Sequence, residues 1–138
     1  MRQVILDAGP LIGAFYSRDT YHQQCIAGFT ELTRSKVKVR IPLPIVFEVY
    51  KWLLHHTYPS IAQKALREIN RDFYILPMEK EVFINLQDTI YLLPNWTGSL
   101  EDATVMLMAL QYRCPIWTYN FRDFSIFESL EFWNPNSV

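Results

Sequence analysis

Apolar runs and amphipathic stretches alternate along the chain and set its expected elements. Val4-Ile5-Leu6 is an unbroken aliphatic run, the pattern of a fully buried strand, and it stops at Asp7. Gly9 predicts a sharp turn there, and Pro10 suits the start of a helix over 11–16. Asp19 is placed to cap a second helix over 21–33. The stretch 36–41 alternates basic and apolar residues, as a half-exposed strand does, and Pro42 and Pro44 close it. Pro44 opens a helix to about His56, and Pro59-Ser60 opens another that ends before Asp72. A second apolar strand over 73–76 stops at Pro77. A helix over 79–93, a loop over 94–98 and an apolar helix from the Ser99 cap to about Tyr112 follow. Pro115 separates that helix from a short strand over 116–118; one or two helical turns over 121–127 and a last strand over 130–133 complete the pattern. Strands alternating with helices predict an α/β fold, a three-layer α/β/α sandwich with a mainly parallel central sheet, built as one domain over 1–138.

Composition narrows the function classes. Half of the residues are hydrophobic and a fifth are charged, which describes a globular chain rather than a disordered one. A formal net charge of −1 excludes a global basic field, so any nucleic-acid contact must come from a local patch or from bound cations. No secretion signal or membrane span is visible, and a cytoplasmic protein is expected. Cys25 and Cys114 stand in apolar contexts without ligand spacing and read as buried reduced thiols. Without a secretory route, Asn95-Trp96-Thr97 reads as loop rather than a glycosylation acceptor.

The candidate chemistry lies in polar residues placed in apolar company. Asp7 sits at the carboxyl end of a core strand, where open α/β sheets hold their ligands. Glu48 shares a helical face with Ile45, Val49, Trp52 and Leu53. An unpaired carboxylate there is costly, so it either pairs with a cation or serves a site. Asp102 shares its face with Val105, Met106 and Ala109, and Ser99-x-x-Asp102 also fits a capping box. Asn120 and Asp123 follow the strand over 116–118, where a turn residue and a helix cap are the alternatives to a site. Taken together, these acids can converge on one crevice. Hard oxygen donors without His or Cys select Mg²⁺ or Mn²⁺, and the chemistry that fits is phosphodiester hydrolysis.

Four short motifs in order carry a resemblance that spans nearly the whole chain. They are Leu6-Asp7-Ala8-Gly9-Pro10-Leu11, Glu48 after its proline-containing lead-in, Ser99-Leu100-Glu101-Asp102-Ala103, and Thr118-Tyr119-Asn120-Phe121-Arg122-Asp123-Phe124. The chain resembles a PIN domain, specifically the VapC-type toxin nucleases. That resemblance implies a PIN-like fold and a Mg²⁺- or Mn²⁺-dependent endoribonuclease leaving 5′-phosphate and 3′-hydroxyl ends. It also implies a homodimer, and a small antitoxin whose C-terminal arm occupies the active-site groove. By the same resemblance Asp7, Glu48, Asp102 and Asp123 would hold the ions, one carboxylate would help deprotonate the attacking water, and Asn120 and Thr118 would support that shell. Many PIN domains carry an acid two residues after the threonine, where this chain has Asn120.

Other features have plainer readings. Arg34, Lys36, Lys38 and Arg40 form the densest positive cluster, either a phosphate track or an exposed edge strand protected by charge. Arg122 can meet a scissile phosphate or pair with Asp123. His22 reads as a surface or packing residue, His55 and His56 complement a helix end, and Trp52, Trp96, Trp117 and Trp133 are expected mostly in the core. Gly9 and Gly13 make no phosphate-binding loop. Two rival functions stand beside the nuclease: an RNA-binding, PIN-like regulatory module that does not cut, and a phosphatase with Asp7 as nucleophile. Gly9 speaks against the phosphatase, which normally pairs its nucleophile with an acid two residues on.

Overall fold

The first aliphatic run becomes β1 (Gln3–Leu6), the strand on which the others assemble. The computed structural model, which describes residues 1–135, flanks it with β2 (Lys38–Pro42) and β4 (Ile116–Trp117), and places β3 (Tyr74–Leu76) outside β2. All three pairings are parallel. Parallel neighbours need long crossovers, and the chain supplies them as α1 (Ala8–Phe15), α2 (His22–Arg34), α3 (Leu43–His56), α4 (Pro59–Asp72), α5 (Lys80–Tyr91) and α6 (Leu100–Tyr112). A single turn, α7 (Phe121–Phe124), follows β4.

The register decides what each sheet face carries. Leu6 lies beside Trp117, while Ile5 lies beside Arg40 on one side and Ile116 on the other. The Leu6–Trp117 face is covered by α2, whose Phe29 ring sits 4.8 Å from that of Trp117. The opposite face is covered by α6, which packs on β1, β2 and β4, with α5 beside it. Val4, Ile5 and Leu6 are fully buried between these layers, as a two-sided sheet requires. The α/β/α sandwich expected from the alternation is thus present. After β1 the chain builds β2 and β3 to one side, then returns to place β4 on the other. The crevice between the carboxyl ends of β1 and β4 is therefore a topological switch point.

Several boundaries differ from expectation for physical reasons. Helix α1 begins at Ala8, directly after Asp7, so Ala8-Gly9-Pro10 is helical and no glycine has a positive φ. Gly9 provides room instead: a Cβ there would lie 3.3 Å from Cδ2 of Tyr119. Asp19 holds the turn before α2 by accepting from the Tyr21 N–H (2.9 Å) and does not cap the helix itself. Lys36 is outside the strand, at φ 56° in the left-handed end of α2, and β2 is interior rather than an edge. The strand expected over 130–133 is reduced to one bridge between Phe132 and Ile116. Trp117 is fully buried, whereas Trp52, Trp96 and Trp133 are half-buried. Both cysteines are free and buried, as expected, and burial pushes each thiol up to about 11. No helix among the described residues is long and apolar enough to cross a membrane.

The α2–sheet contact depends on the absence of a side chain. A Cβ at Gly28 would lie 2.4 Å from Cη2 of Trp117 and 2.7 Å from Cγ of Pro135. Gly28→Ala is therefore expected to lower unfolding stability by about 1–3 kcal/mol despite the better helix propensity of alanine, as read by urea denaturation. An unchanged or higher stability would show that α2 is free to move off the sheet.

Candidate active site at the carboxyl end of the sheet

Asp7 is the last extended residue after β1 and the N-cap of α1, with φ −81° and ψ 174°. Its side chain does not cap the helix; it turns to β4, where Oδ2 accepts from the Thr118 hydroxyl at 2.7 Å. The same hydroxyl oxygen accepts from the Asn120 N–H at 2.9 Å, which fixes the direction of the Thr118 proton. Asp7 is 5 % exposed and Thr118 1 % exposed, so this bond is made away from water. The other oxygen, Asp7 Oδ1, is buried with no hydrogen-bond partner.

Asp102 reaches the same place from the amino end of α6. Ser99 accepts from the Asp102 N–H at 3.0 Å, so the cap expected from sequence is present in its backbone half. The cap and the site are not alternatives here. The Asp102 carboxylate points to the β4 end, where its Oδ2 accepts from Asn120 Nδ2 at 3.2 Å. The same Nδ2 donates to Asp123 Oδ2 at 2.8 Å. Asn120 thus ties two acids together with one amide nitrogen, and Asp123 does not serve as a cap of α7.

Glu48 enters from α3, on the face where Ile45, Val49 and Leu53 are fully buried. Among the described residues it has no ion pair, and its Oε2 is buried without a partner. The salt bridge left open by the sequence is therefore absent. Arg122 likewise does not pair with Asp123; its side chain is exposed.

The electrostatics are those of acids crowded without a cation. Burial, then the charge of Asp102, raises Asp7 to about 6, against a partial lowering by the Thr118 hydrogen bond. Burial, followed by the charges of Asp7, Asp102 and Glu101, raises Glu48 to about 7. Asp102 is also raised, chiefly by burial, with Ser99 opposing and Asp123 reinforcing. Glu101 is a contributor that periodicity did not single out; its only signal was adjacency to Asp102 at the start of α6. Among the described residues, no three His, Cys, Asp or Glu side chains are grouped so that they could hold a metal ion as placed.

An aromatic wall adjoins the acids. Tyr119, between Thr118 and Asn120, packs over Gly9 and stacks on Tyr21 with ring centroids 4.2 Å apart. Its hydroxyl donates to Gln24 Oε1 at 2.9 Å and receives the Cys25 thiol at 3.6 Å. His22 packs nearby, with Nδ1 2.7 Å from the Gly13 carbonyl, and takes no part in the acidic cluster.

The sequence matches no family model and no curated protein. The fold, however, is similar to solved structures along most of its length. VapC20 of Mycobacterium tuberculosis, a sarcin-ricin loop cleaving toxin, superposes with a TM-score of 0.75 at 14 % identity, covering 89 % of this chain and 93 % of that one. VapBC2 of Rickettsia felis, bound to a promoter DNA fragment, gives 0.74 at 12 % identity over 96 % and 98 % of the two chains. A toxin–antitoxin complex of Klebsiella pneumoniae gives 0.64 at 18 % identity over 98 % and 99 %. The PIN-like, VapC-type fold implied by the four motifs is therefore the fold of this chain.

The raised pKa of Asp7 gives a signed expectation for the metal-free protein. Well below its ordinary value of 3.8, the carboxyl is protonated in both folded and unfolded chains and costs nothing. As pH rises through about 6 the folded protein must ionise it in a buried, like-charged place, and stability falls. Asp7→Asn keeps an oxygen for Thr118 and removes that charge. It is expected to raise stability by about 2–3 kcal/mol near pH 8 and to change it little near pH 3, as measured by urea denaturation in chelator. An equal effect at both pH values would contradict the charging account.

Proposed function

We propose that the chain is a metal-dependent endoribonuclease of the VapC type, the toxin of a toxin–antitoxin pair acting in the cytoplasm. The observation that carries this reading is the pair of buried carboxylate oxygens, Asp7 Oδ1 and Glu48 Oε2, that make no well-formed hydrogen bond at the switch point of the sheet, although the Ala8 N–H lies close enough to Asp7 to ease its charge. Buried polar atoms are normally satisfied, and two orphaned oxygens among mutually repelling acids suit a divalent cation. The donor set agrees: carboxylates from Asp7, Glu48, Asp102 and Asp123 and the Asn120 amide, with no His or Cys, fit Mg²⁺ or Mn²⁺. As placed, the acids do not form a ready-made cage among the described residues, so holding an ion requires their side chains to move.

A bound ion of this kind supplies Lewis-acid polarisation of a phosphoryl oxygen and a lowered pKa for an attacking water. The chain's own residues do the rest. Thr118 holds Asp7 in one rotamer through a bond made out of water's reach. Asn120 keeps the Asp102 and Asp123 carboxylates side by side by donating to both, which an acid at this position could not do. Glu48, with a free oxygen on the same site, accepts the proton of the attacking water. Arg122, exposed and unpaired, is placed to meet the phosphate.

Support for the biological setting comes from the structural neighbours. The Rickettsia felis and Klebsiella pneumoniae structures are toxin–antitoxin assemblies, and the Mycobacterium tuberculosis protein is a sarcin-ricin loop cleaving toxin. That likeness supports an antitoxin protein as partner; an RNA substrate and a homodimer are proposed with it on the family resemblance of the four motifs. The rival reading, a PIN-like module that binds RNA without cutting it, rested on Asn120 and on the modest net charge of −1. Its double donation gives Asn120 an organising role in the site, which favours the nuclease on the first of these grounds.

Purified protein is expected to cut structured RNA with Mg²⁺ or Mn²⁺ and to stop in chelator. Asp7→Asn and Asp102→Asn are each expected to slow cleavage by about 100-fold or more. Metal-independent cutting, or undiminished rates in both variants, would refute the reading. RNA binding without cleavage in the parent would favour the non-cutting module.

A further inference from the structure

At the end of the sheet opposite the carboxylates, Arg2, Lys36, Lys38 and Arg40 line a concavity of about 460 Å³. No acidic side chain lines it, and none of these four forms an ion pair among the described residues. They are four of the 13 Lys and Arg in a chain of net charge −1, and with no acid beside them the concavity is locally positive. The sequence offered edge-strand protection as one account of this cluster, but β2 is paired on both sides and has no edge to protect.

The cations are also held in place. Lys38 and Arg40 are alternate residues of β2, so their side chains leave the same face about 6.6 Å apart, close to the step between successive phosphates. The Arg40 guanidinium lies between the rings of Tyr74 (5.8 Å) and Tyr112 (5.1 Å), and its Nε donates to Gln3 Oε1 at 2.7 Å. Its terminal nitrogens remain free to donate in a fixed plane. Lys38 Nζ lies 5.9 Å from the Tyr74 ring. Lys36 occupies a left-handed position that glycine fills more cheaply, with its own N–H bonded to the Thr33 carbonyl and that of Val37 to Leu32. A lysine there accepts left-handed backbone strain and puts an ammonium at the rim.

We propose that this concavity is a second phosphate-backbone site, which anchors the RNA substrate away from the bond that is cut. The inference rests on the ribonuclease reading of the opposite end. β1 spans four residues, so the two sites are on the order of 15 Å apart. That distance is four or five nucleotides at about 3.4 Å of helix axis each. Very short RNAs can therefore fill the acidic site alone, whereas hairpins reach both. The separation also resolves an electrostatic problem, because the cluster of acids repels the polyanion that it must receive.

The test is binding in chelator, where no cleavage occurs and failure of the nuclease reading does not interfere. A hairpin RNA of a few tens of nucleotides and a tetranucleotide are titrated with the parent, with the Arg2→Gln/Lys36→Gln/Lys38→Gln triple variant, and with a Lys36→Arg/Lys38→Arg control. Arg40 is left intact because it braces Gln3 and Tyr112. The triple variant is expected to bind the hairpin at least about 10-fold more weakly, with the slope of log K against log salt reduced by about 2–3. The arginine control keeps parental binding, and the tetranucleotide, with fewer phosphates to contact, binds the parent more weakly than the hairpin and loses less affinity in the triple variant. Thermal unfolding of the variants at parental temperature shows that the fold is kept. Unchanged hairpin affinity and salt slope would overturn the proposal. So would unchanged RNA binding accompanied by loss of binding to a poly-glutamate peptide, which would assign the surface to an acidic protein.

Discussion

The hydrogen bond from Thr118 to Asp7 joins the carboxyl ends of β1 and β4, and the functional end of the molecule hangs on it. It forms where neither group can turn to water, so it fixes one carboxylate oxygen and leaves the other without a well-formed hydrogen bond. The charge of a buried acid in that state disfavours ionisation of the acids beside it, and Asp7 is one of the groups that raise Glu48. The fold therefore holds an electrostatic debt at its switch point. Stability alone would favour filling the crevice with apolar side chains, and the retention of four acids there makes sense as preparation for a cation and a phosphate.

Asn120 shows how the crowding is made tolerable. Its side-chain nitrogen donates to Asp102 and Asp123, and its backbone N–H donates to Thr118. One residue therefore touches three members of the site. Replacing it with an acid would add charge and remove a side-chain donor from each of two carboxylates. The Tyr119 ring beside it packs closely on the bare Cα of Gly9, where a Cβ would make it give way slightly, so the opening motif and the closing motif meet as shapes as well as charges.

Much of this was legible in the sequence because it rests on local rules. The aliphatic run ending at Asp7, the apolar face interrupted by Glu48 and the Ser99-x-x-Asp102 cap each survive in the structure at the expected place. What was not legible depends on tertiary neighbours. Gly9 reads as a turn residue until Tyr119 is seen against it, and Lys36 reads as a strand residue until α2 is seen to end in a left-handed cap. The basic stretch suggests an edge until β3 is found outside β2. The double role of Asn120 could not be read at all, since it requires α6 and α7 to present their acids to one amide.

The central claim is that the acids at the carboxyl end of the sheet form a divalent-cation site, and crystals soaked in Mn²⁺ test it most directly. Anomalous scattering is predicted to show manganese bonded to the Asp7 and Asp102 carboxylates, at the roughly 2.0–2.2 Å typical of hard-cation oxygen ligands. No manganese there at millimolar concentration, or manganese only at other surface acids, would contradict it.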